Sequence, residues 1–341
     1  MNRILVTGAT GFIGLELARL LAEQGLVPRL LVRRPSRATL LNSLDAKIIP
    51  GDLEDVQSIR RAVQGVDIVI HLGGRALFER YELVRPTLVD GSVTLMREAI
   101  AAGARAFVFS SSLLVYESQK SHVDAQTTLK PTLGYGRAKV EAEQALTRMA
   151  SEAGIRLAIL RLPHVYGATS LLFDQVRRGL VIQPGPGQNV FSHMHVHDAA
   201  RLLSAVALSE WSGASPVGDS QPQNWMEFMT QARTLYPRFR HLRLPVWLAL
   251  SGCFVLENIY HVLRRPALLT TDAVRGFNLE VAVRPNLVWK DLGLEMLYPT
   301  TREGLAEVFC RNVPFAWLPS VRDRCACYLD QGACPMPPAI D

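Results

Sequence analysis

Cysteine is scarce, with five among 341 residues, and the chain is too long for them to act as the disulfide framework of a small secreted domain. Lysine is scarce as well. The basic residues are mostly arginine and are scattered along the chain, so the sequence carries no basic tail of the kind that grips nucleic acid, and no nucleic-acid partner is expected. No internal repeat appears. Nor does an apolar leader: Met1-Asn2-Arg3 runs directly into the strand-like Ile4-Leu5-Val6, with no longer apolar region or cleavage site. A reducing, cytoplasmic location is the expectation.

What is present is the balance of a folded protein, 48% hydrophobic and 20% charged, with length for one large domain or two closely joined ones. A net charge of +6 suits an anionic ligand such as a phosphorylated cofactor, or a membrane surface.

The first half alternates short β-branched runs with amphipathic stretches. Strands are predicted at Ile4–Val6, Arg29–Val32, Lys47–Ile49, Asp67–His71, Ala106–Ser110 and Arg156–Leu160, and helices at Phe12–Gln24, Asp55–Val63, Ser92–Ala102 and Tyr135–Ala153. This pattern predicts an α/β fold, a doubly wound parallel sheet of the Rossmann type, with ligands at the edge formed by the strand ends. After Pro163 the regularity fades and Gly and Pro cluster at Pro184-Gly185-Pro186-Gly187. The expected organisation is a nucleotide-binding unit over 1–162, a smaller substrate lobe over 163–310 interleaved with it, and a tail over 311–341.

Thr7-Gly8-Ala9-Thr10-Gly11-Phe12-Ile13-Gly14 follows the first strand and opens the first helix. Glycines there let the backbone turn tightly and approach a pyrophosphate, which a helix N-terminus stabilises. The second strand ends in Arg33 and Arg34 rather than in the acid expected for ribose hydroxyls. Two guanidinium groups favour a 2′-phosphate, hence NADP(H) with NAD as the alternative; two solvated surface arginines would give the same sequence. Asp52, after the third strand, fits either an acceptor for the adenine amino group or a helix cap.

Tyr135 and Lys139 lie four apart at the head of a predicted helix and so share a face. A neighbouring cation lowers the pKa of a phenol, and such a phenol can exchange a proton with a substrate hydroxyl or carbonyl. Tyr116 and Lys120 share the spacing but lie in a stretch without apolar periodicity. Ser110-Ser111-Ser112 ends the fifth strand; Ser112, followed by Leu113 and Leu114, is the candidate donor to the substrate oxygen.

In their order and spacing, these segments resemble the extended short-chain dehydrogenase/reductase family, which includes nucleotide-sugar epimerases and dehydratases, 3β-hydroxysteroid dehydrogenases and dihydroflavonol reductases. The resemblance covers roughly residues 1–310 and is carried by Thr7–Gly14, Gly51-Asp52-Leu53, His71-Leu72-Gly73-Gly74, Phe109–Tyr116, Tyr135–Lys139, Arg161–Gly167 and His195–Asp198. It implies Ser112, Tyr135 and Lys139 as catalytic residues. It also implies a cofactor site that includes Gly8, Thr10, Gly11, Phe12, Ile13, Gly14, Leu53, His71, Leu72 and Gly73, with Pro163, His164 and Val165 beside the nicotinamide. A homodimer through the helices after Ser92 and Tyr135 is a further implication. The family's usual Asn-Val-x-Gly-Thr stretch reads Leu88-Val89-Asp90-Gly91-Ser92 here, so its polar amide is missing.

Leu113 and Leu114 stand where dehydratases of the family need carboxylates, which argues against dehydration. The second half also leans apolar. Leu244–Leu256 is uncharged, with Arg238, Arg240 and Arg243 before it and Arg264 and Arg265 after it. It falls short of the ~20 residues that span a bilayer. It fits a lid over a hydrophobic substrate or an in-plane membrane anchor, and both favour a sterol-, lipid- or flavonoid-like alcohol or ketone. A nucleotide-sugar epimerase and a non-catalytic NADP(H)-binding protein are the alternatives.

His193, His195 and His197 alternate before Asp198, a spacing that zinc could use. The segment also fits a strand running into a helix capped by the aspartate, and no metal is expected. Cys325, Cys327 and Cys334 fall in a Pro-rich tail.

Overall fold

The run Ile4-Leu5-Val6-Thr7 is buried at every position, a pattern that belongs to strands covered on both faces. The computed structural model describes residues 3–74, 78–263, 267, 269–284 and 287–311. Its first part comprises β1 (Ile4–Thr7), α1 (Phe12–Glu23), β2 (Arg29–Val32), β3 (Lys47–Pro50), α2 (Val56–Val63), β4 (Ile68–His71), α3 (Tyr81–Arg85), α4 (Gly91–Ala101), β5 (Ala106–Ser112), α5 (Gly134–Ala153) and β6 (Arg156–Leu162). The predicted strands and helices are all present, with ends shifted by no more than two residues.

The second part comprises β7 (His164–Tyr166), α6 (Leu171–Arg177), β8 (Leu180–Pro184), β9 (Val190–Phe191), β10 (His193–His195), α7 (Val196–Leu208), β11 (Gly213–Pro216), β12 (Gln223–Asn224), α8 (Trp225–Leu235), β13 (Arg240–Leu244), α9 (Val246–Val262), α10 (Thr271–Phe277), α11 (Leu287–Asp291) and α12 (Thr301–Arg311).

Seven parallel strands form the central sheet in the order β11-β6-β5-β4-β1-β2-β3. After β3 the chain crosses back to place β4 beside β1, so the loops leaving β1 and β4 diverge and open a crevice at the sheet edge. Strand alternation divides the core. Ile4, Val6, Ala106 and Val108 pack with Leu17 and Leu21 of α1 and Leu203 of α7. Leu5, Val69, Phe107 and Phe109 pack on the other side with Ile59, Leu95 and Leu146 of α2, α4 and α5.

The seventh strand, β11, was not anticipated. It joins the central sheet from beyond residue 163, as does α7, which lies along α1. The lobe has its own core, in which Phe173, Trp225, Phe228, Leu305 and Phe309 of α6, α8 and α12 meet.

The uncharged run divides at Pro245. Leu244 closes β13, and the Pro245 carbonyl accepts the first α9 bond, from Ala249 N–H at 3.0 Å. No helix among the described residues is long and apolar enough to cross a membrane. Cys310 is disulfide-bonded. Arg264, Arg265 and the three cysteines of the tail lie outside the described residues.

Candidate active site

All the singled-out strand ends lie on one edge because the sheet is parallel. At the first, Gly8 has φ +73°, and a Cβ there would come within 2.8 Å of the Leu72 carbonyl group. A Cβ on Gly14 would fall 2.1 Å from the Gly8 oxygen. The glycine turn is thus pressed against both the β4 loop and its own helix. Gly11 is the N-cap of α1 and offers no side chain; the first turn of α1 also holds no acid. The amides of Phe12, Ile13 and Gly14 are therefore the first-turn donors that no intrahelical carbonyl takes, a donor set suited to an anionic diphosphate. Thr10 stands half-buried beside them. The Phe12 ring lies against Gly167, where a Cβ would sit 3.1 Å from its Cζ; this joins the turn to the segment after β6.

Arg33 and Arg34 are exposed at the end of β2. Arg33 Nε lies 3.9 Å from Asp52 Oδ2, so the two sequence candidates meet. Asp52 accepts from Glu54 N–H at 3.2 Å, whereas the cap of α2 is Asp55. Leu53 covers Gly73, where a Cβ would meet its Cδ1 at 2.8 Å.

His71 is fully buried, and its neighbours fix its tautomer. Ser92 Oγ gives its proton to Leu88 O at 2.6 Å, so it can only accept from His71 Nε2 at 2.9 Å. Nδ1 must then accept from Thr7 Oγ1 at 2.6 Å, while that oxygen accepts from Gly73 N–H at 3.0 Å. A continuous chain of hydrogen bonds thereby ties β4, β1 and the head of α4 together beneath the crevice. Leu88 lies in a π-helical turn over Pro86–Asp90 and occupies the space over Gly74, where a Cβ would meet its Cδ2 at 2.4 Å. An apolar side chain in that segment thus packs where the family's usual motif carries an amide.

Burial, followed by the charge of Lys139, pushes the His71 pKa down to about 3, and burial alone pushes His164 to about 4. His193 is also driven well below its usual value by burial. A depressed histidine pKa stabilises the fold fully above the unfolded value of 6.5, and this contribution is lost as pH falls toward the folded value. Melting temperature should therefore decline steadily from about pH 6.5 to pH 4, with the His71 ring not titrating in NMR spectra over that range.

Farther along the chain, Tyr135 and Lys139 lie on one face of α5. Lys139 is 3% exposed; its Nζ donates to Ser110 O at 2.7 Å and lies 5.7 Å from the Tyr135 ring centroid. Burial pulls the Lys139 pKa down to about 8, opposed by the Glu143 carboxylate. Burial pushes the Tyr135 phenol up. Tyr135 packs among Phe78, Leu113, Leu114, Leu133 and Val140. The head of α5 lies directly on the turn that follows Ser112: a Cβ on Gly136 would fall 2.1 Å from the Leu114 carbonyl oxygen. Sequence reading passed over Gly136, although a glycine between the tyrosine and lysine was a sign of close approach. Ser112 Oγ accepts from Leu114 N–H at 3.2 Å.

Alternation turns Ser111 to the opposite face. It donates to Glu143, which is held by Arg161 at 2.8 Å; Arg161 in turn donates to Tyr116 OH at 2.8 Å. The Tyr116 hydroxyl donates to Asp124 O at 3.2 Å. Tyr116 is thus a buried structural partner and Lys120 is exposed, so the second Tyr-x-x-x-Lys pair forms no site.

Pro163, His164 and Val165 are half-buried at the end of β6. His164 Nδ1 meets His193 Nδ1 at 3.0 Å, and its ring lies 4.7 Å from that of Trp225. The three alternating histidines part company. His195 Nδ1 accepts from His197 N–H at 3.3 Å as the cap of α7, which places its proton on Nε2, 3.0 Å from Glu307. His197 pairs with Glu16 at 3.1 Å. The atoms of His195, His197 and Glu307 lie within 4.8 Å of one another, but the capping role leaves His195 as a donor rather than a ligand. Asp198 is not the cap that the sequence suggested. It accepts from Leu297 and Tyr298 N–H, both at 2.8 Å, and ties the lobe to α7.

The NAD-dependent epimerase/dehydratase family matches residues 4–216. The chain belongs to this family. A ceramide reductase of Caulobacter vibrioides is 30% identical over 249 residues, covering 71% of this chain and 73% of that protein. A 3-beta-hydroxysteroid dehydrogenase of Mycolicibacterium neoaurum is 26% identical over 336 residues, 90% of each chain. Among solved structures, the UDP-glucose 4-epimerase of Thermotoga maritima with UDP-glucose shares the fold at a TM-score of 0.71 and 21% identity, over 89% of this chain and 96% of that one. A dTDP-glucose 4,6-dehydratase of Streptomyces venezuelae does so at 0.72 and 19%, over 94% and 99%. The protein is an NAD(P)-dependent oxidoreductase or epimerase of the extended short-chain dehydrogenase type.

Proposed function

We propose that this family member moves hydride between NADP(H) and the alcohol or ketone carbon of an apolar, sterol- or lipid-like substrate. The observation that carries the reading is the apolar setting of Tyr135, which packs against the cluster that holds Leu113, Leu114 and Leu133, with its ring 6.3 Å from that of Phe78. An apolar setting beside the reacting oxygen suits a hydrocarbon skeleton better than a sugar. The names of the ceramide reductase and hydroxysteroid dehydrogenase relatives agree with it.

The amides of Phe12, Ile13 and Gly14 would hold the cofactor diphosphate, and Arg33 and Arg34 the 2′-phosphate. The nicotinamide, when bound, supplies or accepts the hydride. Ser112 Oγ then orients the substrate oxygen. Tyr135 gives that oxygen a proton on reduction and takes it back on oxidation, so the charge developing there is never left exposed in an apolar pocket. Lys139, as a cation, would stabilise the phenolate and help to hold the cofactor ribose.

The test is a fluorescence titration with NADPH and NADH in the wild type and in Arg33→Ala. Tighter NADPH binding is expected, weakening about tenfold or more in the variant with NADH unchanged. Preference for NADH would overturn the phosphate role. The epimerase reading would gain if a nucleotide sugar turned over with no net cofactor consumption.

A further inference from the structure

Helix α9 wears its apolar surface outward. Trp247 is 69% exposed, Phe254 61%, Val255 57%, Ile259 49% and Val262 80%. Glu257, the one acid in the helix, is turned inward at 9% exposure, where it accepts from Thr271 N–H at 3.0 Å and from its Oγ1 at 2.8 Å. The strand pair ahead of α9 continues the theme. Leu180, Ile182 and Leu242 are 40%, 49% and 50% exposed, and pairing of Ile182 with Leu242 and of Leu180 with Arg240 puts them on one face. Arg240 lies on this face, Arg238 is exposed just ahead of β13, and Arg243 is exposed on its other side. A soluble helix shows a polar face to water; among the described side chains of α9, only Ser251 is both polar and exposed.

We propose that α9 and the β8–β13 strip form a docking surface for an anionic lipid bilayer, with α9 lying in the plane of the headgroup region. At 17 residues the helix is ~25 Å long, too short to span the hydrocarbon core. Its geometry is that of an in-plane element whose apolar side enters the acyl boundary while arginines engage lipid phosphates. A second copy of the chain would bring the same arginines face to face with themselves, an unfavourable pairing.

The surface also connects to the active site. Glu257 holds the first residue of α10, and the Asp272 carboxylate of α10 accepts from Gly134 N–H at 2.8 Å. Gly134 is the residue before Tyr135. Thr270 Oγ1 binds the Phe78 carbonyl, and the Phe78 ring lies 6.3 Å from that of Tyr135. Two hydrogen-bonded steps therefore separate the lipid-facing helix from the tyrosine. The inference rests on the apolar-substrate reading in one respect, that the bilayer would be the source of the substrate.

The experiment uses the full chain with phosphatidylcholine vesicles, with and without phosphatidylglycerol. Co-sedimentation is expected with the anionic vesicles and should weaken with salt. Brominated acyl chains should quench Trp247, and W247F should remove the quenching while binding persists. Phe254→Glu with Ile259→Glu should reduce vesicle binding about tenfold or more, with the circular dichroism and NADPH titration unchanged. Slower hydrogen exchange at the head of α5 on vesicle binding would support the link to Tyr135, and unchanged exchange would overturn it. No vesicle binding, equal binding to neutral vesicles, or unaltered binding by the double variant would overturn the proposal. So would a dimer in sedimentation velocity that the double variant breaks, which would assign the surface to a second copy. None of these readouts needs turnover, so a protein that binds vesicles yet reduces no apolar ketone overturns the substrate reading alone.

Discussion

Tyr135→Phe is expected to lower turnover by about a hundred- to ten-thousand-fold, the usual range for loss of a positioned proton donor, while NADPH affinity stays within about twofold. The ring is held by groups that do not use its hydroxyl: Val84, Leu88, Val89 and Ala138 on one side and Leu113 and Leu133 on the other. Phenylalanine keeps that packing and removes only the hydroxyl proposed to exchange a proton with the substrate oxygen. Steady-state rates together with the fluorescence titration check this. Equal losses in affinity and rate would make the tyrosine a packing residue, and an unchanged rate would remove it from the chemistry altogether.

Glu143→Ala should give the largest loss of stability. Glu143 and Arg161 have side chains only 4% and 6% exposed, and the carboxylate also receives Ser111. Removing it strands a guanidinium in the interior, at about 3–5 kcal/mol for breaking a buried pair from one side. For a protein of this size, the melting temperature should fall by roughly 4–7 °C. The double variant Glu143→Leu, Arg161→Met should recover much of that loss, because it removes both charges along with their desolvation. Calorimetry of the three proteins checks the ordering; a double variant no more stable than Glu143→Ala would show that the pair contributes beyond its own neutralisation.

Much of the first half of the fold was legible in the sequence because its elements follow local rules. Strands such as Ile68–His71 are short, β-branched and buried throughout, and α5 shows its inward residues at helical spacing. Strand β11 lacked such a signal. Gly213-Ala214-Ser215-Pro216 contains no β-branched residue, and it becomes a strand because it pairs with Ala158–Arg161 at the free edge of β6. The cap of α7 was misplaced for a related reason. Asp198 fits a cap by composition, yet two backbone amides a hundred residues away claim its carboxylate.

The amino-acid sequence by itself determined the parallel sheet, the glycine turn and the facing of Tyr135 and Lys139, since each depends on neighbours a few positions apart. Tertiary structure alone decided that Ser111 turns to Glu143, that Tyr116 is a structural partner of Arg161, and that α9 presents its apolar side outward. Those choices join residues 18 to 45 positions apart or depend on which face of a helix a neighbour covers. Composition shows that α9 is apolar, but only packing against α10 determines which of its residues remain in contact with solvent.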